Sequence, residues 1–291
     1  GFPLGAAGGG VISSWLIPNY GWHSVLLAGA IAPLVLTVLL VLFLPESVKY
    51  LVHRGKGVAQ VKRIAQRFMS GSLEQVTQFY LDEDRVTVKK GSVAQLFSMP
   101  WLPGTLMLWM TYFMGLVIYY VLLSWMPTLM LGMGYPLAES AWLTSLFTFG
   151  GTAGILLAGW LMDRWEAHKV VSLGFILTML FALALGFEHN HIILFGALIF
   201  LMGITMNGAQ SGLQTLAATF YPTHCRATGI AWMQGVGRFG GVAGTMMSAQ
   251  LLSLQWQADS ILMFLSLPAL VAAAATVYKL QRYKPHALTV A

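Results

Sequence analysis

Hydrophobic positions in this chain run in long blocks, broken by short polar turns and by one long basic segment. Several long stretches contain no Asp, Glu, Lys or Arg, among them 1–45, 91–138, 140–162, 189–225 and 260–278. A bilayer core roughly 30 Å thick needs about 20 apolar residues per spanning helix, so the longer blocks hold more than one crossing, or a crossing and a loop. Divided at turn signals, they predict eight helices, at about 1–17, 23–44, 103–131, 140–162, 170–188, 191–218, 226–252 and 260–280. Pro18-Asn19-Tyr20-Gly21 separates the first two, and Gly132-Met133-Gly134-Tyr135-Pro136 closes the third. Strands of a transmembrane barrel would alternate polar and apolar residues over about 10 positions, and these blocks do not. The pattern predicts an all-α fold, a polytopic transmembrane helical bundle.

The charged positions orient that bundle. Nine of the 16 Lys and Arg lie in the segment 46–100, Arg164 and Lys169 follow the fourth helix, Arg226 opens the seventh, and Lys279, Arg282 and Lys284 fall at the end. If every helix crosses once, these 15 share one side, while the opposite loops carry Glu139, Glu188 and Asp259 and no Lys or Arg. The positive-inside rule places the basic side and both termini in the cytoplasm, with a bacterial-type inner membrane as the expected location. A content of 57% hydrophobic and 9% charged residues, with a mean hydropathy of +0.71, excludes a soluble globular surface. The net charge of +6 then reflects orientation and attraction to anionic lipid, not a nucleic-acid surface.

Within the basic segment, Val58, Val61, Ile64, Ala65 and Phe68 recur at helical spacing opposite Lys62, Arg63, Gln66 and Arg67. That is either an amphipathic helix on the headgroup surface or a solvated connector. The single cysteine, Cys225, permits no internal disulfide and reads as a small residue at a helix start. Gly1-Phe2-Pro3-Leu4 has neither an initiator Met nor a basic n-region, so the sequence is expected to be truncated.

Several strings carry a family resemblance. Leu44-Pro45-Glu46-Ser47-Val48-Lys49-Tyr50-Leu51 resembles the string that closes the sixth helix in many major facilitator superfamily transporters. Gly159-Trp160-Leu161-Met162-Asp163-Arg164 is similar to the second copy of that superfamily's cytoplasmic loop motif, with Glu166 and Ala167 departing from it. The run from Phe220 to Gly229, followed by Gly235-Val236-Gly237-Arg238-Phe239-Gly240-Gly241, resembles the aromatic acid:proton symporter branch, and Pro18-Asn19-Tyr20-Gly21-Trp22-His23-Ser24 agrees with it.

The resemblance implies residues 1–45 as the last two helices of an N-terminal bundle, 46–100 as a central cytoplasmic loop and 101–291 as a C-terminal six-helix bundle. It further implies that four N-terminal helices needed for function are missing, among them an acidic first helix serving proton coupling. Asp163 and Arg226 match positions that matter for the conformational cycle, as an ion pair made in one state and broken in another. Arg164 lies beside Asp163. His23 and His168 match family histidines, and at loop positions a solvated or capping role is expected for both.

Arg238 stands alone inside a hydrophobic block. A charge at the centre of a spanning helix costs about 2.5 to 3.5 kcal/mol on insertion scales, so it faces a cavity or a partner. Gly235, Gly237, Gly240, Gly241 and Gly244 surround it and let a helix or ligand come close. A planar guanidinium holds a carboxylate through two parallel hydrogen bonds; the alternative is a structural Arg paired with carbonyls or with an acidic residue outside this chain. Asn207, Gln210 and Gln214 share a helix face, and Gln234 lies one turn from Arg238. These amides either bond substrate oxygens or hold helices together. Trp109, Tyr112, Tyr119 and Tyr120 fall within about 100° of arc, as an aromatic wall for a benzoate-like ring or as ordinary packing and interfacial anchors.

The expected function is proton-coupled uptake of benzoate- or hydroxybenzoate-type carboxylates by alternating access. The alternatives are a superfamily carrier of a sugar, a muconate-like dicarboxylate or a hydroxyphenylpropionate, and, in another class, a membrane receptor or structural protein. No nucleophile–base motif points to an enzyme, no cofactor is expected, and His189 and His191 lack the ligand set of a metal site.

Overall fold

The computed structural model describes residues 21–44, 93–99, 101–187 and 191–282, with Gly5, Gly9, Ile12, Trp15, Leu16, Asn19 and Tyr20 as isolated positions. Most of the expected helix at 1–17, the string Pro45 to Leu51, the 58–68 helix, Glu188 and His189 lie outside these residues. The helices are α1 (Trp22–Phe43), α2 (Val93–Leu96), α3 (Leu102–Gly132), α4 (Leu137–Met162), α5 (Ala167–Phe187), α6 (Ile192–Phe220), α7 (Thr223–Ser253), α8 (Ala258–Phe264) and α9 (Ser266–Arg282). Residues 11–89 form one compact unit and residues 1–10 with 90–291 another. α1 belongs to the first, and none of its residues is buried.

Local chemistry sets the helix ends. Pro103 sits in the first turn of α3, where its missing N–H is no loss, and Gly134 beyond the helix takes φ 88° in the expected turn. Pro136 and Pro222 stand at the N-caps of α4 and α7. The last expected helix, about 260–280, is two pieces. Pro268 has no N–H to donate to the carbonyl of Phe264, and its ring crowds that group, so α8 stops at Phe264 and α9 starts after Leu265.

Glycines set how closely the larger unit packs. On the seam between α4 and α6, a β-carbon at Gly154 would lie 2.6 Å from the Cα of Ile204, and one at Gly150 would meet the carbonyl of Phe200. Gly203 and Gly208 face back onto Phe147 and the carbonyl of Gly154. The α3–α7 seam repeats the device: a β-carbon at Gly244 would lie 2.7 Å from the carbonyl oxygen of Val117, and Gly240 faces the carbonyl of Phe113. Lipid tails are as apolar as Leu, so helices associate through close van der Waals contact and interhelical hydrogen bonds. One such bond joins Thr178 of α5 to Thr205 of α6 at 2.9 Å, and another joins Tyr221 to Thr105 of α3 at 3.2 Å. Other hydroxyls bond back within their own helix, as Thr111 does to the carbonyl of Met107 at 2.7 Å.

The outward faces are apolar: Leu156 is 72% exposed and Ile193 86%. Buried side chains include Thr105, Thr111, Asn207 and Lys279. An exterior more apolar than parts of its interior belongs in hydrocarbon, where each backbone polar group must be satisfied within the helix. Six helical segments among the described residues are long and apolar enough to span a bilayer: Trp22–Phe43, Leu102–Gly132, Trp142–Met162, Ala167–Phe187, Ile192–Phe220 and Ala258–Arg282. α7, at 31 residues, is long enough but is not among them. It carries Arg226, Gln234, Arg238 and Gln250, so α7 is the helix that most needs the shelter of its neighbours.

Replacing Gly154 by Leu should separate α4 from α6 at a cost of about 1–3 kcal/mol or more, read as a lower melting temperature of the detergent-purified protein. A melting temperature equal to that of the parent would show that this contact does not hold the bundle.

Candidate functional site

Arg238 lies at the middle of the 31-residue α7, roughly 22 Å from either end at 1.5 Å per residue. Its side chain is exposed on the unit's surface, and it has no hydrogen-bond or ion-pair partner among the described residues. Beside it, Tyr112 of α3 is only 8% exposed. The Tyr112 phenol faces the amides of Gln210 and Gln214 on α6 and lies in the field of Arg238. Residues from three helices, α3, α6 and α7, therefore converge beside Arg238.

The amides separate into two roles. Gln210 Nε2 donates to the carbonyl of Tyr112 at 3.4 Å, and its Oε1 is pressed against Gly115, buried and without a donor among the described residues. Gln210 thus ties α6 to α3 beneath the site. Gln214, one turn along, is exposed. Asn207 departs from the expected substrate role: its Nδ2 donates to the carbonyl of Gly203 at 3.0 Å, and the amide lies over Gly151 of α4. Gly151 has no side chain to keep it out, so this amide packs α6 against α4. Gln234 is half-buried on α7.

The aromatic wall divides in the same way. Tyr112 lies against Gly237 and Tyr120 against Gly241, both on α7. Trp109 stacks on Trp232 of α7 with centroids 6.0 Å apart and meets Phe97 edge-on at 5.7 Å. Tyr119 turns the other way, towards Phe147 of α4 at 6.0 Å, so it packs the α3–α4 seam and does not line the space beside Arg238. Four of the five glycines near Arg238 receive α3, and only Gly235 has nothing within 4 Å.

At the basic end the structure corrects one expectation, that for His168. Asp163 and Arg226, expected to pair in one state of the cycle and part in another, are apart in this structure. Asp163 is exposed, with no cation in reach among the described residues, while Arg226 Nε donates to the carbonyl of Tyr221 at 3.5 Å. Arg164 lies over the ring of Trp160, 4.1 Å from its centroid. Each of these arginines thus finds a partner close by in sequence. His168 is neither solvated nor a cap: its side chain is 13% exposed, and Nε2 lies 3.0 Å from Lys279 Nζ. An ammonium only donates, so Nε2 accepts and the ring proton sits on Nδ1, which faces Glu166 Oε1 at 3.7 Å. Lys279 is 1% exposed and also lies 4.2 Å from the centroid of Phe220. His23, in the other unit, is exposed and stacked on Trp22 at 3.6 Å.

Lys279 is the residue that counting cations for orientation missed. Its spacing held the signal: Ala272, Ala275 and Thr276, at i−7, i−4 and i−3, are all buried, which marks the face of α9 turned into the bundle. Cys225 is 2% exposed and packs in the core, as a small helix-start residue should.

Long apolar helices, an apolar exterior and polar groups turned inward define a polytopic helical membrane protein. The Major Facilitator Superfamily profile matches residues 1–141 and 134–290, and the chain belongs to that superfamily. It is 45% identical, over 96% of its length, to a 4-hydroxybenzoate transporter of Acinetobacter baylyi, of which it spans 62%. It is 39% identical over 94% of its length to a gallate transporter of Pseudomonas putida, spanning 61% of that protein. It is 33% identical over 93% of its length to a benzoate transport protein of Acinetobacter baylyi, spanning 58%. The chain thus spans about three fifths of the length of these relatives, which are named as transporters and not as enzymes.

Replacing His168 by Leu leaves the Lys279 ammonium buried without its imidazole acceptor and should destabilise the protein by about 1–3 kcal/mol. Adding Lys279→Met should recover most of that loss, because removing both partners of a buried pair is far milder than removing one. A double variant melting no higher than His168→Leu alone would contradict this pairing.

Proposed function

We propose that the protein imports aromatic carboxylates of the benzoate and hydroxybenzoate type together with protons, across a bacterial-type inner membrane. The observation that carries this reading is Arg238 at the middle of α7, exposed beside the Tyr112 phenol and Gln214. A cation at that depth serves a substrate or a partner, not orientation. Two parallel hydrogen bonds from its fork would hold a carboxylate, and Tyr112 offers a ring face and a hydroxyl to the rest of the molecule. Relatives named for 4-hydroxybenzoate, gallate and benzoate share the two features this site would read, a carboxylate and an aromatic ring.

Transport follows from alternating access, in which helical bundles rock about a site near the bilayer midplane. Proton entry offsets the cost of accumulating an anion inside. Asp163, Arg164 and Arg226, at helix ends on the basic side, serve the conformational cycle; an exposed pair among them would contribute only about 0–1 kcal/mol, enough to bias a balanced equilibrium. The basic side, with both ends of the chain, faces the cytoplasm by the positive-inside rule.

Uptake of labelled 4-hydroxybenzoate by cells producing the protein tests both parts. Arg238→Lys should raise KM about tenfold or more, since an ammonium keeps the charge and loses the fork; an unchanged KM would remove the carboxylate clamp. Dissipating the proton gradient with an uncoupler should abolish accumulation, and accumulation that survives it would rule out symport.

A further inference from the structure

The four glycines that receive α3 on α7 are of two kinds. Gly240 and Gly244 face the carbonyl groups of Phe113 and Val117. Backbone meets backbone there, so these two positions fix the distance between the helices. Gly237 and Gly241 face rings instead, those of Tyr112 and Tyr120. At Gly237 a β-carbon would meet Tyr112 Cδ1 and lie 2.9 Å from Cε1. The helices cannot move apart to relieve that contact without breaking the Gly240 and Gly244 seats, one and two turns away. The ring therefore has to move.

Its movement matters because of what it carries. Tyr112 is 8% exposed, and its phenol faces Gln210, Gln214 and the charge of Arg238, the residue next to Gly237. On the other side of the ring's backbone, Gln210 is locked by its bond to the Tyr112 carbonyl and its seat on Gly115. Of the groups that surround the phenol, Gln214 and Arg238 are exposed, so displacement of the ring changes the space beside them. We propose that Gly237 is a positioning residue for substrate: by having no side chain it keeps the Tyr112 ring against α7 and leaves the slot beside Arg238 wide enough for an aromatic acid. This rests on the reading of Arg238 and Tyr112 as the substrate site.

A double-variant cycle on the protein tests it, with uptake of 4-hydroxybenzoate and the amount of protein in the membrane measured together. Gly237→Ala should raise KM about five- to tenfold, with the maximal rate per molecule kept within about twofold, as over-packing of a dense site predicts. In a Tyr112→Ala background the same substitution should change KM by less than about twofold, because the ring it displaces is gone. An equal effect in both backgrounds, or an effect on maximal rate alone, overturns the proposal while leaving the substrate reading intact. If Gly237→Ala fails to reach the membrane, adding Tyr112→Ala should restore it, and failure to do so also overturns the proposal. Absence of any aromatic-acid uptake by the parent protein overturns the substrate reading, and this proposal with it.

Discussion

Contact between helix backbones at glycine is the constraint on which the rest of the larger unit depends. Hydrocarbon gives helices no reason to cluster through burial of apolar surface, so they must gain from close approach. Gly150, Gly154, Gly203 and Gly208 bring α4 and α6 together, and Gly240 and Gly244 do the same for α3 and α7. The same missing side chains make room for polar groups. Asn207 occupies the notch at Gly151 and Gln210 the notch at Gly115. Polar residues on these helices are therefore held by the geometry that allows the helices to pack.

The cations divide by how they meet this constraint. Among the described residues, Arg164 sits in the turn after α4, and Lys169, Arg226 and Arg282 sit within the first or last turn of their helices, where charge is cheap. Lys279 is enclosed, between an imidazole and a phenyl ring, and joins the end of α9 to the starts and ends of its neighbours α5 and α6. Arg238 is at mid-span and open to the outside of its unit. One cation is held within its own bundle, whereas the other has its side chain exposed at mid-span.

Much of the fold was legible because block length and turn residues are strong signals in a membrane protein. Predicted helices such as 103–131 and 191–218 appear as Leu102–Gly132 and Ile192–Phe220. The divided last span was not foreseen, since Pro268 lies in an apolar block with no polar interruption to mark it. Arg238, Asn207, Gln210, Gln214 and Gln234 stood out as polar groups against hydrocarbon, and Tyr112 as one of an aromatic set. What could not be read was direction: Asn207 and Gln210 lie on one side of α6 yet enter notches on different helices, and Tyr119 and Tyr120 are adjacent in sequence yet serve different seams. Side-chain partners depend on where a neighbouring helix has a glycine, and periodicity along one helix does not contain that information. His168 was misplaced for a related reason, since its partner is 111 residues away.

The burial of Cys225 has a practical side. It is the only cysteine among the 291 residues, and 2% of it is exposed. A maleimide dye or a nitroxide spin label therefore meets no accessible native thiol on this chain. Cysteines introduced at open positions of α7, such as Phe239 at 69% exposure or Met246 at 60%, give a site-directed spectroscopic handle without first removing the native residue from the core.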